Sequence, residues 1–190
     1  MQAYKLIAWD FDGVLNANVE NGVFRWMSTF EADMGLPIRS LSEFLFTGRF
    51  QKAMVGEADL HELVGEWTAA QGVPHRAGEV VDYWFDKDHI PDEATLDIVR
   101  RARHAGITNI IATNNEVHRA NWIEQQGFGE NMHTVFAAGR MRLAKPDLAY
   151  FAHIEDALGF GGQDVILVDD MEENVAAARK QGWDAFHFTP

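Results

Sequence analysis

The chain has 190 residues, of which 47% are hydrophobic and 24% are charged, as in an ordinary soluble globular protein. Its formal net charge of −13 argues against nucleic acid and membrane surfaces as partners, because both select basic patches. The chain has no cysteine, which excludes a disulfide framework and a cysteine-based zinc site. It has no apolar run near the ~20 residues of a membrane span and no secretory pattern, so we expect a cytoplasmic protein.

The first predicted element is a buried strand over residues 4–9, a short and mostly apolar run. Asp10 and Asp12 follow it directly, so the strand delivers two carboxylates to the end where ligands bind in open α/β sheets. Gly13 then allows the chain to turn sharply. Two carboxylates this close repel each other unless a cation or a proton lies between them. The stretch therefore favours a divalent metal site.

Residues 16–88 show no convincing strand alternation and predict a helical insertion. Apolar residues at helical spacing predict four helices, around residues 24–34, 40–45, 60–67 and 80–85. Ser40 and Glu43 have the spacing of a capping box, which predicts that the second helix begins at Ser40. Arg49 lies between Gly48 and Phe50, in a stretch that we predict to be a loop between helices.

From Pro91 onward, predicted helices alternate with short apolar strands. The strands cover residues 109–112, 134–137, 165–168 and 185–188. Alternation of this kind predicts an α/β fold, with a parallel sheet that carries helices on both faces. We expect residues 1–15 and 89–190 to form this core, with residues 16–88 inserted as a separate helical unit.

Polar side chains follow three of the predicted strands, where the strands of a parallel sheet share one edge. They are Asp10 and Asp12, Thr113 and Asn114, and Asp169 and Asp170, and Lys145 precedes a helix on the same side. Mg²⁺ prefers oxygen ligands, usually one or two carboxylates together with substrate phosphate. Hydroxyl, backbone N–H and lysine groups can hold phosphate, and a remaining carboxylate can attack phosphorus.

These motifs resemble those of the haloacid dehalogenase (HAD) superfamily of hydrolases. The likeness rests on Asp10-Phe11-Asp12-Gly13-Val14, on Thr113, on Lys145-Pro146, and on Asp169-Asp170 through Asn174 and Gly182. The motifs occur in that order and span nearly the whole chain. The resemblance implies a Rossmann-like core, and the helical insertion matches the cap of one HAD subgroup.

The resemblance also implies a mechanism. Asp10 would be the nucleophile that forms an aspartyl-phosphate, and Asp12 would be the general acid and base. Lys145 would offset negative charge on the nucleophile and on the bound phosphate. Thr113 and the backbone of Asn114 would bind the phosphoryl group.

The cofactor implied by the resemblance is Mg²⁺. Asp10, the carbonyl of Asp12, and Asp169 would be ligands, and Asp170 would contribute directly or through water. The expected partner is a small-molecule phosphate ester, for example a sugar phosphate, and a monomer and a homodimer are both open. The cap would read the part of the substrate beyond the phosphate, and Arg49 is the predicted contact.

Three alternatives to a phosphatase follow from the same motifs. A 2-haloacid dehalogenase needs the nucleophile but no acid two residues later, because halide leaves without a proton, so Asp12 favours phosphoryl transfer. A phosphosugar mutase of this family usually carries a histidine where the chain enters the cap, and residues 16–34 have none. A non-catalytic binding module is disfavoured by the intact set of motif residues.

Overall fold

The computed structural model describes residues 4–20 and 22–189. The strands are β1 (Leu6–Trp9), β2 (Val19–Glu20), β3 (Val23–Phe24), β4 (Thr108–Thr113), β5 (Val135–Ala137), β6 (Val165–Asp169) and β7 (Asp184–His187). The helices are α1 (Met27–Met34), α2 (Ile38–Phe46), α3 (Arg49–Met54), α4 (Leu60–Ala70), α5 (Ala77–Lys87), α6 (Glu93–His104), α7 (Val117–Gln125), α8 (Ala138–Met141), α9 (Leu148–Leu158) and α10 (Glu172–Gln181). No described helix has both the length and the apolar character needed to cross a bilayer.

Five strands form one parallel sheet in the order β5-β4-β1-β6-β7. The first strand of the chain therefore lies at its centre, and the strands that follow the insertion were added on both sides. All five predicted strands are present. Their parallel arrangement brings the residues after β1, β4 and β6 to the same edge.

Alternate residues of the strands face opposite sides of the sheet, and both sides are covered. Trp9, Ile111 and Val168 pack in a core with residues of α6 and α7. Their neighbours Ala8, Ile110 and Leu167 pack in a second core with residues of α9 and α10. The strands are apolar on both faces because each face is buried under helices. The predicted Rossmann-like α/β architecture is thus confirmed.

The helical insertion has its own hydrophobic core around Trp26, Phe30 and Trp67, which are almost completely buried. The four predicted helices are present, together with the short α3 and a β2–β3 hairpin that the prediction missed. The capping box at Ser40 is wrong. Helix α2 begins two residues earlier, at Ile38, and the Ser40 hydroxyl instead accepts a hydrogen bond from the indole of Trp67 at 3.1 Å.

The chain enters and leaves the helical insertion through two segments that lie side by side. The backbone N–H of Ala17 donates to the carbonyl of Ile90 at 2.7 Å. The Asn16 side chain bonds to both sides of the second segment, donating to the Asp88 carbonyl at 2.6 Å and accepting from the Ile90 N–H at 2.7 Å. Asn16 is completely buried, so its amide satisfies backbone groups that water cannot reach.

A second contact joins the helical insertion to the core at Gly56, and the residue that Gly56 touches, Gly139, is itself tightly packed. A Cβ on Gly56 would lie 2.5 Å from the carbonyl oxygen of Gly139 in α8. A Cβ on Gly139 would lie 2.7 Å from the Val117 nitrogen and 2.8 Å from the Glu116 Cα. Gly56 thus lets the helical insertion approach the backbone of α8, and Gly139 lets α8 approach the start of α7 within the core.

We expect Gly139→Ala to lower the free energy of unfolding by about 1–3 kcal/mol, because the methyl group would meet backbone that has little room to move. The matched control is Gly78→Ala in α5, where nothing lies within 4 Å of the new Cβ. That change should raise stability by up to about 1 kcal/mol through helix propensity. Denaturant unfolding of both variants measures the difference, and equal stability would contradict the close approach at Gly139.

Candidate active site at the carboxyl edge of the sheet

The centre of the candidate site is the ammonium group of Lys145. Its Nζ lies 3.0 Å from Oδ1 of Asp10, after β1, and 2.6 Å from Oδ2 of Asp169, at the end of β6. The Lys145 side chain has no exposed surface. Asn114 holds its backbone in place: the Lys145 N–H donates to Asn114 Oδ1, and Asn114 Nδ2 donates to the Lys145 carbonyl, both at 2.8 Å. Four residues that the sequence assigned to one site are thus in contact.

Three carboxylates meet beside this lysine. Oxygen atoms of Asp10, Asp169 and Asp170 all lie within 4.8 Å of one another. Gly13 makes room for the last of them: its φ is +80°, and a Cβ there would lie 2.5 Å from Asp170 Oδ2. Hard oxygen donors on one rigid edge fit a divalent cation such as Mg²⁺.

Electrostatics supports a cation at this cluster. Burial raises the pKa of Asp10 well above its ordinary value, against the lowering effect of Lys145, and the charges of Asp169 and Asp170 raise that pKa further. Burial, followed by the charge of Asp169, likewise raises the pKa of Asp170. One ammonium does not neutralise three carboxylates, so a further positive charge would favour the ionised form of Asp10.

Asp169 is held in a fixed orientation. Its Oδ1 accepts the Met171 N–H at 2.9 Å, and Asn174 Nδ2 lies 3.0 Å from Oδ1 and 3.2 Å from Oδ2. The start of α10 therefore fixes the Asp169 carboxylate, because Met171 and Asn174 both lie there.

The Asp12 carboxylate lies apart from the acidic cluster and has different partners. Its Oδ1 accepts from Asn18 Nδ2 at 2.7 Å, and its Oδ2 accepts from Asn115 Nδ2 at 2.9 Å. The side chain of Asp12 is therefore not among the carboxylates gathered around Lys145, in contrast to those of Asp10, Asp169 and Asp170. Both Asp12 oxygens are thus oriented by side-chain amides, one from the start of the helical insertion and one from the segment after β4.

A buried ion pair lies behind Asp12. Arg119 Nη2 is 3.1 Å from Asp88 Oδ2 and 4.0 Å from Asp12 Oδ1. Asn18 Nδ2 also donates to Asp88 Oδ2, at 2.8 Å, and so connects the two acids. Burial and then the charge of Asp12 raise the pKa of Asp88 to about 7, although Arg119 opposes the shift. This network ties the start and the end of the helical insertion to the predicted acid.

A cavity of about 80 Å³ opens above these residues. Its floor is polar and consists of Asp12, Asp88, Asn114, Asn115, Glu116 and Arg119. Its walls come almost entirely from the helical insertion and are apolar, consisting of Phe24, Phe46, Phe50, Leu60, Trp84 and Phe85. Of the predicted site residues, Asp12 and Asn114 line this cavity together with side chains of the helical insertion.

The remaining predicted residues have two different positions. Thr113 is buried at the end of β4, and its Oγ1 accepts from Asn115 Nδ2 at 2.8 Å. Arg49 does not line the cavity. It begins α3 rather than lying in a loop, and its exposed guanidinium lies 4.2 Å from the centre of the Phe44 ring and donates to the Phe44 carbonyl. The predicted loop position is wrong, and the neighbouring Phe50 faces the cavity instead.

Sequence reasoning missed Asn18, Asp88, Asn115 and Arg119. Asn115 directly follows two predicted phosphate-binding residues and could have been included on that ground. The other three carry no local signal: two lie at the ends of the helical insertion, and Arg119 looks like an ordinary exposed helix residue. It is instead buried, with its guanidinium against the rings of Phe11, Phe85 and Trp122.

The chain is similar to several solved structures. A HAD family enzyme of Bacteroides thetaiotaomicron, crystallised with magnesium and inorganic phosphate, has a TM-score of 0.80 at 17% identity, covering 97% of this chain and 93% of that one. A HAD-like hydrolase of Porphyromonas gingivalis has a TM-score of 0.76 at 16% identity, covering 96% and 90%. The L-2-haloacid dehalogenase of Xanthobacter autotrophicus has a TM-score of 0.62 at 15% identity, covering 96% and 76%. At these identities the likeness shows a shared fold.

Among curated proteins, the sesquiterpene phosphatase astK of Aspergillus oryzae is 25% identical over 100 residues. This match covers 52% of the chain and 51% of the relative, so it spans about half of each protein. The model of the haloacid dehalogenase-like hydrolases matches residues 4–182, which is nearly the whole sequence. The chain therefore belongs to the haloacid dehalogenase-like hydrolase family, as its motifs suggested.

Proposed function

We propose that the protein is a Mg²⁺-dependent phosphomonoester hydrolase that works through an aspartyl-phosphate on Asp10. The observation that carries this proposal is the placement of Asp12. Its carboxylate lies on the cavity floor, where Asn18 and Asn115 hold it. Asp12 follows Asp10, a member of the Asp10–Lys145–Asp169 cluster, by two residues. Similarity to a sesquiterpene phosphatase over half of that protein also supports a phosphate ester as substrate.

The first step would use Asp10 and Asp12 together. Oδ1 of Asp10 is engaged by Lys145 and by the Phe11 N–H, and Oδ2 takes neither of these contacts. A carboxylate oxygen of Asp10 attacks phosphorus, the bond to the leaving oxygen breaks, and Asp12 gives that oxygen a proton. In the second step Asp12 takes a proton from water, whose oxygen attacks phosphorus and frees Asp10.

The other predicted residues would bind rather than react. Lys145 offsets charge on Asp10, and Thr113 and the Asn114 backbone hold the phosphoryl oxygens. The carboxylates of Asp10, Asp169 and Asp170 and the backbone carbonyl of Asp12 would hold Mg²⁺, which when bound supplies positive charge against the phosphate. We further propose that residues 16–88 act as a cap over the core, since their apolar side chains would exclude water from the cavity.

A haloacid dehalogenase is the main alternative within the family, because it would use the same nucleophile. Halide needs no proton when it leaves, so such an enzyme gives Asp12 no acid role. Two amide donors and the nearby Arg119 fix the Asp12 carboxylate at the cavity floor, which supports an acid–base role for it. Release of phosphate from aryl and alkyl esters, with halide release from a 2-haloacid as comparison, distinguishes the two activities.

Asp10→Asn should lower phosphate release by at least about 10³-fold, because an amide cannot form the acyl-phosphate. The nearly isosteric change should keep the fold, which a melting curve checks. Asp164→Asn, at an exposed acid paired with Lys5, is the control and should retain activity. Residual turnover near that of the control would refute Asp10 as the nucleophile.

Asp12→Asn should cost about 10²–10⁴-fold in the phosphorylation step for an alkyl phosphate, whose alkoxide leaves poorly without a proton. The loss should be much smaller for 4-nitrophenyl phosphate, whose phenolate leaves unaided. Because water must still be activated, rapid mixing with the aryl ester should show a burst of phenolate followed by stalling. An equal loss in the first step for both esters would count against Asp12 as the acid.

Mg²⁺ should raise the melting temperature of the native protein, since a ligand that binds only the folded state stabilises it. In Asp170→Asn the metal-free protein should melt higher, because one repelling carboxylate is gone, and the shift caused by Mg²⁺ should be smaller. Asp97→Asn, an exposed acid on α6, should behave like the native protein. An undiminished Mg²⁺ shift in Asp170→Asn would show that the ion binds elsewhere.

A further inference from the structure

The side chains that line the cavity walls indicate which class of phosphate ester would bind there. This inference rests on the proposed phosphatase function. Phe46, Phe50 and Trp84 form one aromatic cluster: their ring centroids are 5.3 Å apart for the two phenylalanines and 6.1 and 5.8 Å from each of these to the tryptophan. All three rings line the cavity. A surface of this kind removes apolar groups from water and offers hydroxyl groups no partner.

The polar groups on the floor of the cavity are mostly occupied by one another. Arg119 donates to the Phe85 carbonyl at 3.0 Å and to Asp88 at 3.1 Å. The Glu116 carboxylate caps α7, where Oε2 accepts the His118 N–H at 2.7 Å and Oε1 accepts the Arg119 N–H. These groups serve the protein's own backbone and ion pair, so they are poorly placed to recognise a sugar.

The side chains of Asn114 and Asp88 are also poorly placed to bind a sugar hydroxyl. The Asn114 side chain exchanges two hydrogen bonds with the backbone of Lys145. Oδ1 of Asp88 has no hydrogen-bond partner among the described residues, but it is buried with almost no accessible surface, so a substrate hydroxyl does not reach it. A polyhydroxylated leaving group would bring several hydroxyls, and each one buried without a partner lowers binding by about ten- to a hundredfold.

We propose that the preferred substrate is the phosphate monoester of an apolar alcohol, with its hydrocarbon group against Phe46, Phe50 and Trp84, rather than a sugar phosphate. Each CH₂ group that enters the cavity should improve binding by about fourfold. The phosphate would lie at the Lys145 edge and the leaving oxygen beside Asp12. The specificity would thus come from the helical insertion and the chemistry from the core.

The test compares two esters of one shape, cyclohexylmethyl phosphate and glucose 6-phosphate, each a six-membered ring with a CH₂–O–phosphate arm. The native protein should hydrolyse the cyclohexylmethyl ester with a kcat/KM at least about a hundredfold higher, because the glucose hydroxyls would lose water without gaining partners. This comparison needs no variant. Acetyl phosphate, whose acetate leaving group is small and makes little contact with the cavity walls, serves as the third substrate.

Variants then locate the preference. Phe50→Gln should reduce the ratio of the two kcat/KM values by about tenfold, and Phe50→Leu should keep most of it, because only the first adds polar atoms to the wall. The matched control is Phe44→Gln on α2, whose half-buried ring contacts Arg49 and does not line the cavity. This control should leave the ratio unchanged. Melting curves confirm that the variants compared are folded.

The outcomes separate the two proposals. Equal or faster hydrolysis of glucose 6-phosphate by the native protein would overturn the apolar substrate and leave the phosphatase function standing. An unchanged ratio in folded Phe50→Gln would also overturn it. Failure to release phosphate from all three compounds in the presence of Mg²⁺ would overturn the proposed function, and this inference with it.

Discussion

The buried ammonium of Lys145 is the interaction on which the site depends. Its ion pairs with Asp10 and Asp169 join the ends of two strands to the loop before α9. Removing one partner of such a buried pair typically lowers the free energy of unfolding by about 3–5 kcal/mol, because the remaining charge is left buried without a partner or water. Yet one ammonium faces three carboxylates, and burial, together with the charges of Asp169 and Asp170, raises the pKa of Asp10. The same arrangement that fixes the geometry thus favours a divalent cation.

The floor and the walls of the cavity come from different parts of the chain. The core supplies charged and amide groups from the ends of parallel strands, where rigid geometry holds Asp10 and Asp12. The helical insertion supplies aromatic surface, and its own hydrophobic core keeps that surface in place. Two contacts set how these parts are arranged. One is the close approach of Gly56 to Gly139, and the other joins the two side-by-side segments through which the chain enters and leaves the helical insertion.

The fold and the family could be predicted from the sequence because their signals are local. Each strand of the sheet is a short apolar run, and Asp10, Asp169 and Lys145 stand beside such runs or at a helix start, so their meeting follows from parallel topology. The Asp88–Arg119 pair could not be predicted, because two charges far apart in the chain become partners only after folding. The loop predicted at Arg49 is the start of α3, and the contact of its guanidinium with the Phe44 ring likewise forms only when the helices are in place.

The two side-by-side segments that connect the helical insertion to the core also bear on how such a protein can change over evolutionary time. The side chains of Asn18 and Asp88, at the two ends of the helical insertion, are joined by a hydrogen bond of 2.8 Å. Units whose ends lie this close can be gained or exchanged without breaking the sheet, because a short connection closes the gap. A lineage could therefore replace one set of cavity walls with another and acquire new substrates, while the residues at the carboxyl edge of the sheet stayed as they were.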